Sequence, residues 1–430
     1  MAESLRRILR AVRAATFLLV LTTACVALAA AAYFGAARFV DSPAAASLVA
    51  ALTLLASTFG CWWWRAPALG IAERRRPAVS SAGALLVLVL AVAISWQFVF
   101  RRFEPAPALD RAAAHAQHWN LPTGSTIAYT RVTAQRSRGA PPLIYLHGGP
   151  AVPPRRTIRE FLAPLAEDGF DVYLYDQFGS GSSGRADDIA EYTLQRHVAD
   201  LEAIRRELGA DRLVLVGSSW GAVLAGYYMA AHPDRVERAV LLSPGILARR
   251  SEHPYDFSRT ASSEDPSIIL PPLRMIVAGA LARVNTRHAE AFASQAELGA
   301  VFDGFTASGS LEYQSHCKGG FRDGGPAPAA TRSAGGNYYA NLIALRSLRQ
   351  APDPRPALRA VKAPVLLLRG DCDYVPLSSA LAWRDALPRS TLLQLPDAGH
   401  ALTSEARKSA FSAVRAFLAE PPVAPSSSAP

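Results

Sequence analysis

Four cysteines in 430 residues, with no CxxC pair and no Cys/His run at metal-ligand spacing, exclude a disulfide scaffold and a structural zinc site. The sequence also lacks a basic stripe on its later part. Residues 1–102 hold eleven arginines against Glu3, Asp41 and Glu73, whereas residues 103–430 are nearly balanced, with 34 basic and 32 acidic side chains. The net charge of +10 therefore comes largely from arginines flanking apolar runs, which argues against nucleic-acid binding. No internal repeat is evident.

Charge is missing altogether from three stretches, roughly 14–37, 42–64 and 77–100. Each is long enough to cross about 30 Å of hydrocarbon as a helix, and buried helices of soluble domains rarely run so far uncharged. Trp62–Trp64 end the second stretch, and Trp96, Phe98 and Phe100 end the third, where amphipathic rings suit the headgroup boundary. Arg6, Arg7, Arg10 and Arg13 precede the first stretch, and Arg65 with Arg74–Arg76 lies between the second and third. The positive-inside tendency puts these in the cytoplasm and everything beyond Phe100 outside, with only Arg101 and Arg102 opposing. A cleaved signal peptide ending near Ala27-Leu28-Ala29 is the competing reading of the first stretch, and it leaves the later domain on the same side. The expectation is an integral protein of the cell membrane with an extracytoplasmic domain.

Residues 103–120, with Glu104-Pro-Ala-Pro107, read as a linker. From 121 to 245 and from 362 to 420, short β-rich apolar runs (143–146, 172–175, 213–216, 239–242, 365–368, 392–395) alternate with helical ones (194–208, 222–231, 377–387, 404–418). This pattern predicts an α/β fold with a mostly parallel sheet covered by helices on both faces. Residues 246–361 break the rhythm, with helical pieces at 273–284, 288–298 and 338–348, and read as a mainly helical cap. Residues 421–430 read as a disordered tail. Cys317 and Cys372 fall in this later region and would be free to pair in an oxidising compartment.

The chemistry is carried by Leu213-Val-Leu-Val-Gly217-Ser218-Ser219-Trp220-Gly221, a strand entering G-x-S-x-G and then a helix. A serine on such a turn needs small neighbours, so Gly217 and Gly221 flank Ser219 at two positions either way. A hydroxyl is a poor nucleophile until a base takes its proton. Of nine histidines, His400 in Asp397-Ala-Gly-His400 stands after the last predicted strand, where this fold places its base; His288 reads as a surface or cap residue. The orienting acid falls in Gly370-Asp371-Cys372-Asp373, with Asp373 preferred for its three-residue spacing from the glycine and Asp371 as the alternative. His147-Gly148-Gly149-Pro150 follows an earlier strand and leaves a backbone N–H exposed. The oxyanion hole is assigned to the amides of Gly149 and Trp220, with His147 and Gly148 supporting the loop. The order Ser219…Asp373…His400 is that of an α/β-hydrolase.

Together with Asp176-Gln-Phe-Gly-Ser-Gly-Ser-Ser183, these motifs make residues 120–420 resemble the proline iminopeptidase (prolyl aminopeptidase) family. The resemblance implies an α/β-hydrolase fold, removal of N-terminal residues, often proline, from short peptides, and no metal or organic cofactor. It also implies a cap carboxylate for the substrate's ammonium group just before an Asn-x-Tyr segment, where Gly336 precedes Asn337-Tyr338-Tyr339. Glu252, Glu264, Glu290, Glu297 and Glu312 are the carboxylates left for that role. Three function classes follow: a peptidase on short peptides, a carboxylesterase or other acyl hydrolase on apolar esters, and a non-catalytic binding domain. The expected partners are a small peptide or ester and the lipid bilayer; the sequence names no protein partner.

Overall fold

The structure is a computed structural model that describes residues 2–103, 117–136, 139–153, 156–247, 271–307, 317, 335–401 and 404–420. The expected 421–430 tail lies outside the described residues. Contacts divide the chain into two units, one of residues 1–103 with 271–294, the other of 104–270 with 295–430.

The first unit begins with α1 (Ala2–Ala37), α2 (Pro43–Arg65) and α3 (Arg76–Ser95), the last running into a π-helical turn at Trp96–Phe100. Ser42 caps α2 through its hydroxyl, and prolines open both α2 and α3, where a missing N–H costs nothing. Among the described residues, three segments are long and apolar enough to cross a membrane: Thr16–Ala37, Pro43–Arg65 and Glu73–Phe100, with mean hydropathies of 2.2, 1.8 and 2.4. Small side chains bring them together. Cys25, Ala29 and Leu54 form a buried cluster flanked by Cys61, Val87, Leu88 and Ala91, and Gly83 leaves room for the indole of Trp62.

The second unit carries the sheet. Its elements run β1 (Gln117–Asn120), β2 (Thr126–Val132), β3 (Leu143–Leu146), α4 (Arg156–Leu162), β4 (Val172–Tyr175), α5 (Leu194–Glu207), β5 (Leu213–Ser218), α6 (Trp220–Ala231) and β6 (Val236–Leu242). The chain then contributes α7 (Leu273–Leu281) and α8 (Thr286–Phe292) to the first unit. It resumes the second with α9 (Gln295–Ala307), α10 (Tyr338–Gln350), β7 (Val365–Gly370), α11 (Leu377–Ala386), β8 (Ser390–Leu395) and α12 (Ser404–Ala419).

The strand order is β1-β2-β4-β3-β5-β6-β7-β8, with β1 and β2 antiparallel and the other six parallel. Strands β3, β4 and β7 are buried on both faces, which is why they read as continuous apolar runs. From β3 the chain crosses to β4 on one side and later to β5 on the other. The ends of β3 and β5 therefore flank a topological switch point, where such sheets open a crevice for ligands.

Two sequence expectations change. Residues 117–120, counted with the linker, form β1, whose Trp119 stacks on Tyr129 of β2 at 3.6 Å between ring centroids. Four residues are too few to show an alternation. The continuous cap over 246–361 is interrupted, because residues 271–294 belong with the N-terminal helices. His288, expected as a surface or cap residue, is fully buried there; its Nδ1 donates to the Val40 carbonyl at 2.7 Å and its Nε2 accepts from Tyr33 Oη at 3.1 Å. Residues 248–270, 308–316 and 318–334 of the cap lie outside the described residues.

Trp383 of α11 is 0 % exposed, packs over Gly226 of α6, and donates from its indole N–H to the Gly245 carbonyl at 2.8 Å. Trp383→Ala should lower the unfolding free energy of the second unit by about 3–5 kcal/mol, read from chemical denaturation of the detergent-solubilised chain.

Candidate active site

Ser219 sits between β5 and α6 with φ 53° and ψ −113°, a conformation that L-residues rarely adopt. Surrounding contacts hold it there. Its N–H donates to the Leu242 carbonyl at 2.9 Å, and its own carbonyl accepts from Gly245 N at 3.2 Å. The flanking glycines are required by space. A Cβ on Gly221 would run into the Leu146 carbonyl oxygen of β3, and one on Gly217 would meet the Gly221 carbonyl. Gly148 lets the loop after β3 approach the Ser219 side chain, since a Cβ there would stand 3.3 Å from Ser219 Cβ.

His400, Ser219 and Asp373 arrive from three separate loops. His400 Nε2 lies 2.9 Å from Ser219 Oγ, and its Nδ1 lies 2.8 Å from Asp373 Oδ1. A carboxylate only accepts, so Nδ1 carries the proton and Nε2 of the neutral ring is left to accept from the hydroxyl. Asp373 is 4 % exposed, and its Oδ1 also accepts from Val375 N at 2.9 Å. Tyr374 lies against the imidazole, with centroids 4.3 Å apart. The alternative acid, Asp371, does not meet His400; a carboxylate oxygen of it lies within 4.8 Å of the sulfurs of Cys317 and Cys372. Those sulfurs form a disulfide with Cα atoms 5.6 Å apart, and bonded sulfurs offer no thiolate to a metal. The bridge ties residue 317 to the residue next to Asp373.

Arg369, unnoticed in the sequence, braces the acid's loop. Its guanidinium donates to the carbonyls of Gly370, Asp373 and Val375 at 2.7, 3.1 and 2.9 Å, engaging acceptors of the buried turn. An Arg ending a buried strand in an otherwise apolar run was the available signal.

Gln177 links the two loops that bear the predicted oxyanion amides. Its side-chain N–H donates to the His147 carbonyl at 2.9 Å, and its side-chain oxygen accepts from the Trp220 indole N–H at 2.9 Å. The Gln177 backbone N–H donates to His147 Nε2 at 2.9 Å, so His147 holds its proton on Nδ1, facing the Gly148 carbonyl at 2.9 Å. Burial lowers the His147 pKa to about 4, and lowers that of neighbouring His197 to about 3. Asp176, whose pKa burial raises to about 6, accepts from Ser182 N at 2.7 Å, and a Cβ at Gly181 would overlap its carboxylate. Neither Gly149 N–H nor Trp220 N–H donates to another described residue. These are donors such as an oxyanion would require, the second at a helix N-terminus.

Helix α10 meets this loop. Asn341 donates to the Pro150 carbonyl at 2.9 Å, and Asn337 caps the helix through Tyr339 N and Ala340 N. At Gly336, where the resemblance implies a carboxylate, Asp303 of α9 instead accepts from the amides of Gly335 and Gly336 at 2.8 and 2.7 Å. Both of its oxygens serve this turn. Glu252, Glu264 and Glu312 lie outside the described residues, and Glu290 belongs to α8 in the first unit.

Residues 141–406 match the family model described as the alpha/beta hydrolase fold. The chain is 31% identical over 270 residues to a proline iminopeptidase of Xanthomonas citri, covering 60% of this chain and 83% of that protein. It is 29% identical over 272 residues to a probable proline iminopeptidase of Leptolyngbya boryana, covering 61% and 81%. Among solved structures, a thermophilic esterase from Thermogutta terrifontis superposes with a TM-score of 0.50 at 21% identity, over 71% of this chain and 98% of that one, a likeness of fold.

Two buried neutral histidines make stability depend on pH with a defined sign. Unfolded imidazoles titrate near 6.5, so between that value and about 4 the unfolded chain binds more protons than the native one. The stabilisation is present above about 6.5 and is lost as pH falls towards 4. Asp176, with its raised pKa, contributes the opposite sign over the same window in both proteins, so the check is comparative: followed from about pH 7.5 to 4.5, the Tm of His147→Gln should fall less steeply than that of the natural sequence.

Proposed function

This chain belongs to the proline iminopeptidase-like family of α/β-hydrolases, and we propose that it is a membrane-anchored serine hydrolase cleaving short peptides through an acyl-enzyme. The observation that carries the reading is the unbroken relay from Ser219 Oγ to His400 and from His400 to Asp373, at 2.9 and 2.8 Å. Ser219 Oγ attacks the substrate carbonyl carbon while His400 Nε2 takes its proton, and Asp373 stabilises the resulting imidazolium. The carbonyl oxygen becomes an oxyanion held by the Gly149 and Trp220 amides. His400 passes the proton to the leaving nitrogen as the C–N bond breaks. A water deprotonated by His400 then attacks the acyl-enzyme, and the proton returns to Ser219 as the product carboxylate leaves.

A second reading, hydrolysis of esters lacking a free amine, is favoured by one observation. Asp303, the carboxylate at the turn before Asn337, is engaged by the two backbone amides of Gly335 and Gly336, so binding an ammonium group there would displace charge-assisted hydrogen bonds. Proline and alanine arylamides assayed beside short-chain aryl esters separate the readings. Turnover of arylamides supports the peptidase, whereas turnover confined to esters overturns it. Ser219→Ala should reduce either rate by roughly ten-thousandfold or more with an unchanged melting profile. A retained rate would remove Ser219 as nucleophile.

The three apolar helices and the arginines preceding the first and separating the second from the third support a cytoplasmic N-terminus and an external catalytic domain. The Cys317–Cys372 disulfide supports the same side, because such bonds persist in oxidising compartments. Alkaline phosphatase fused after residue 103 should be active in intact cells, while a fusion in the 66–72 loop should be inactive. The reverse pattern would invert the topology.

A further inference from the structure

Residues 271–294 interrupt the cap to pack with the N-terminal helices, and their side chains show how. Helix α7 buries Arg274, Met275, Ala278 and Leu281. The guanidinium of Arg274 donates to the carbonyls of Val99 and Phe292 at 2.9 and 2.6 Å. The opposite face exposes Leu273 and Ile276 at 48% and 49%, followed by Val284 at 37%, and no charged residue occurs between Met275 and Ala282. An outer face in water normally carries charge; this one is apolar.

The turn between α7 and α8 is fixed at one depth. Asn285 donates to the Ala37 carbonyl at 3.1 Å and to Asp41 Oδ1 at 2.8 Å, and His288 donates to the Val40 carbonyl at 2.7 Å. Ala37 is the last residue of the first membrane-length segment, so Arg38, Arg283 and the turn share its boundary. Phe39 is 86% exposed beside them. A cavity of about 360 Å³ opens at this level, lined by Phe34, Gly35, Arg38, Arg283 and Val284. Its lining combines two arginines with Phe34 and Val284. Asp41, the acidic side chain of this loop, is held by Asn285, and neither arginine forms an ion pair among the described residues.

We propose that this cavity holds a glycerophospholipid of the outer leaflet, its phosphodiester bound by Arg38 and Arg283 and its chains lying along Phe34, Val284 and the apolar face of α7. Bidentate guanidinium geometry suits a phosphate, and the cavity's amphipathic lining suits a lipid better than a free anion. The inserted hairpin thereby becomes a second membrane attachment, made by a piece of chain taken from the hydrolase half of the sequence. The assignment rests on the membrane-spanning reading.

The test uses the full-length protein purified from phospholipid nanodiscs into mild detergent, with retained lipid counted by native mass spectrometry. The natural sequence should keep one phospholipid through washing. The double variant Arg38→Gln/Arg283→Gln should lower that occupancy at least tenfold, and Val284→Trp, which fills the cavity without changing charge, should do the same. Equal occupancy in both variants overturns the site, as does displacement of the lipid by millimolar inorganic phosphate, which would make it an anion site. Resistance of all three proteins to carbonate extraction keeps the anchoring reading separate: extraction of the natural protein refutes that reading, whereas lipid loss in still-embedded variants supports the site.

Discussion

The turn at Ser219 holds the molecule's site together, because a residue with φ 53° sits where a parallel strand becomes a helix. That conformation is costly by about 1–3 kcal/mol and persists only where neighbours over-determine it. Here the Leu242 carbonyl, the Gly245 amide and the tight approach of Gly221 to β3 do so. The rigidity of the central strands is thereby transmitted to one hydroxyl. His400 and Asp373, on the loops after the last two strands, need only close on a point already defined.

Around that point, the buried polar groups form two braces. Gln177 and His147 join the loop after β3 to the start of α6, fixing the spacing of the Gly149 and Trp220 amides. Arg369 and the Cys317–Cys372 bridge hold the loop carrying the acid. Gln177 and Arg369 both donate to backbone carbonyls, so positioning and hydrogen-bond satisfaction are achieved by the same atoms. Preorganised donors of this kind need not rearrange as charge develops.

The first unit follows a different rule. Its helices associate through small side chains and through carbonyl-directed hydrogen bonds from Arg274, Asn285 and His288. Apolar packing alone distinguishes poorly among partners for a helix surrounded by apolar groups, so polar side chains aimed at helix ends select the docking place. That explains why a hairpin from the middle of the sequence belongs with helices from its beginning.

Much of this was legible in the residue order. Continuous apolar runs marked β3, β4, β5 and β7, because strands buried on both faces admit no polar alternation. Glycines at two-residue spacing marked Ser219, because a Cβ at Gly217 or Gly221 would occupy backbone positions. Uncharged length marked the three membrane-length helices, because hydrocarbon thickness is a local constraint. Spacing from Gly370 already favoured Asp373 over Asp371, and the 2.8 Å contact of Asp373 with His400 agrees with it; the brace by Arg369, the burial of His288 and the membership of 271–294 emerged only in the tertiary structure. The Arg369 brace is local, but its acceptors are set by how the turn after β7 folds. The burial of His288 and the membership of 271–294 depend on which carbonyl far along the chain lies within about 3 Å, a relation no local pattern encodes.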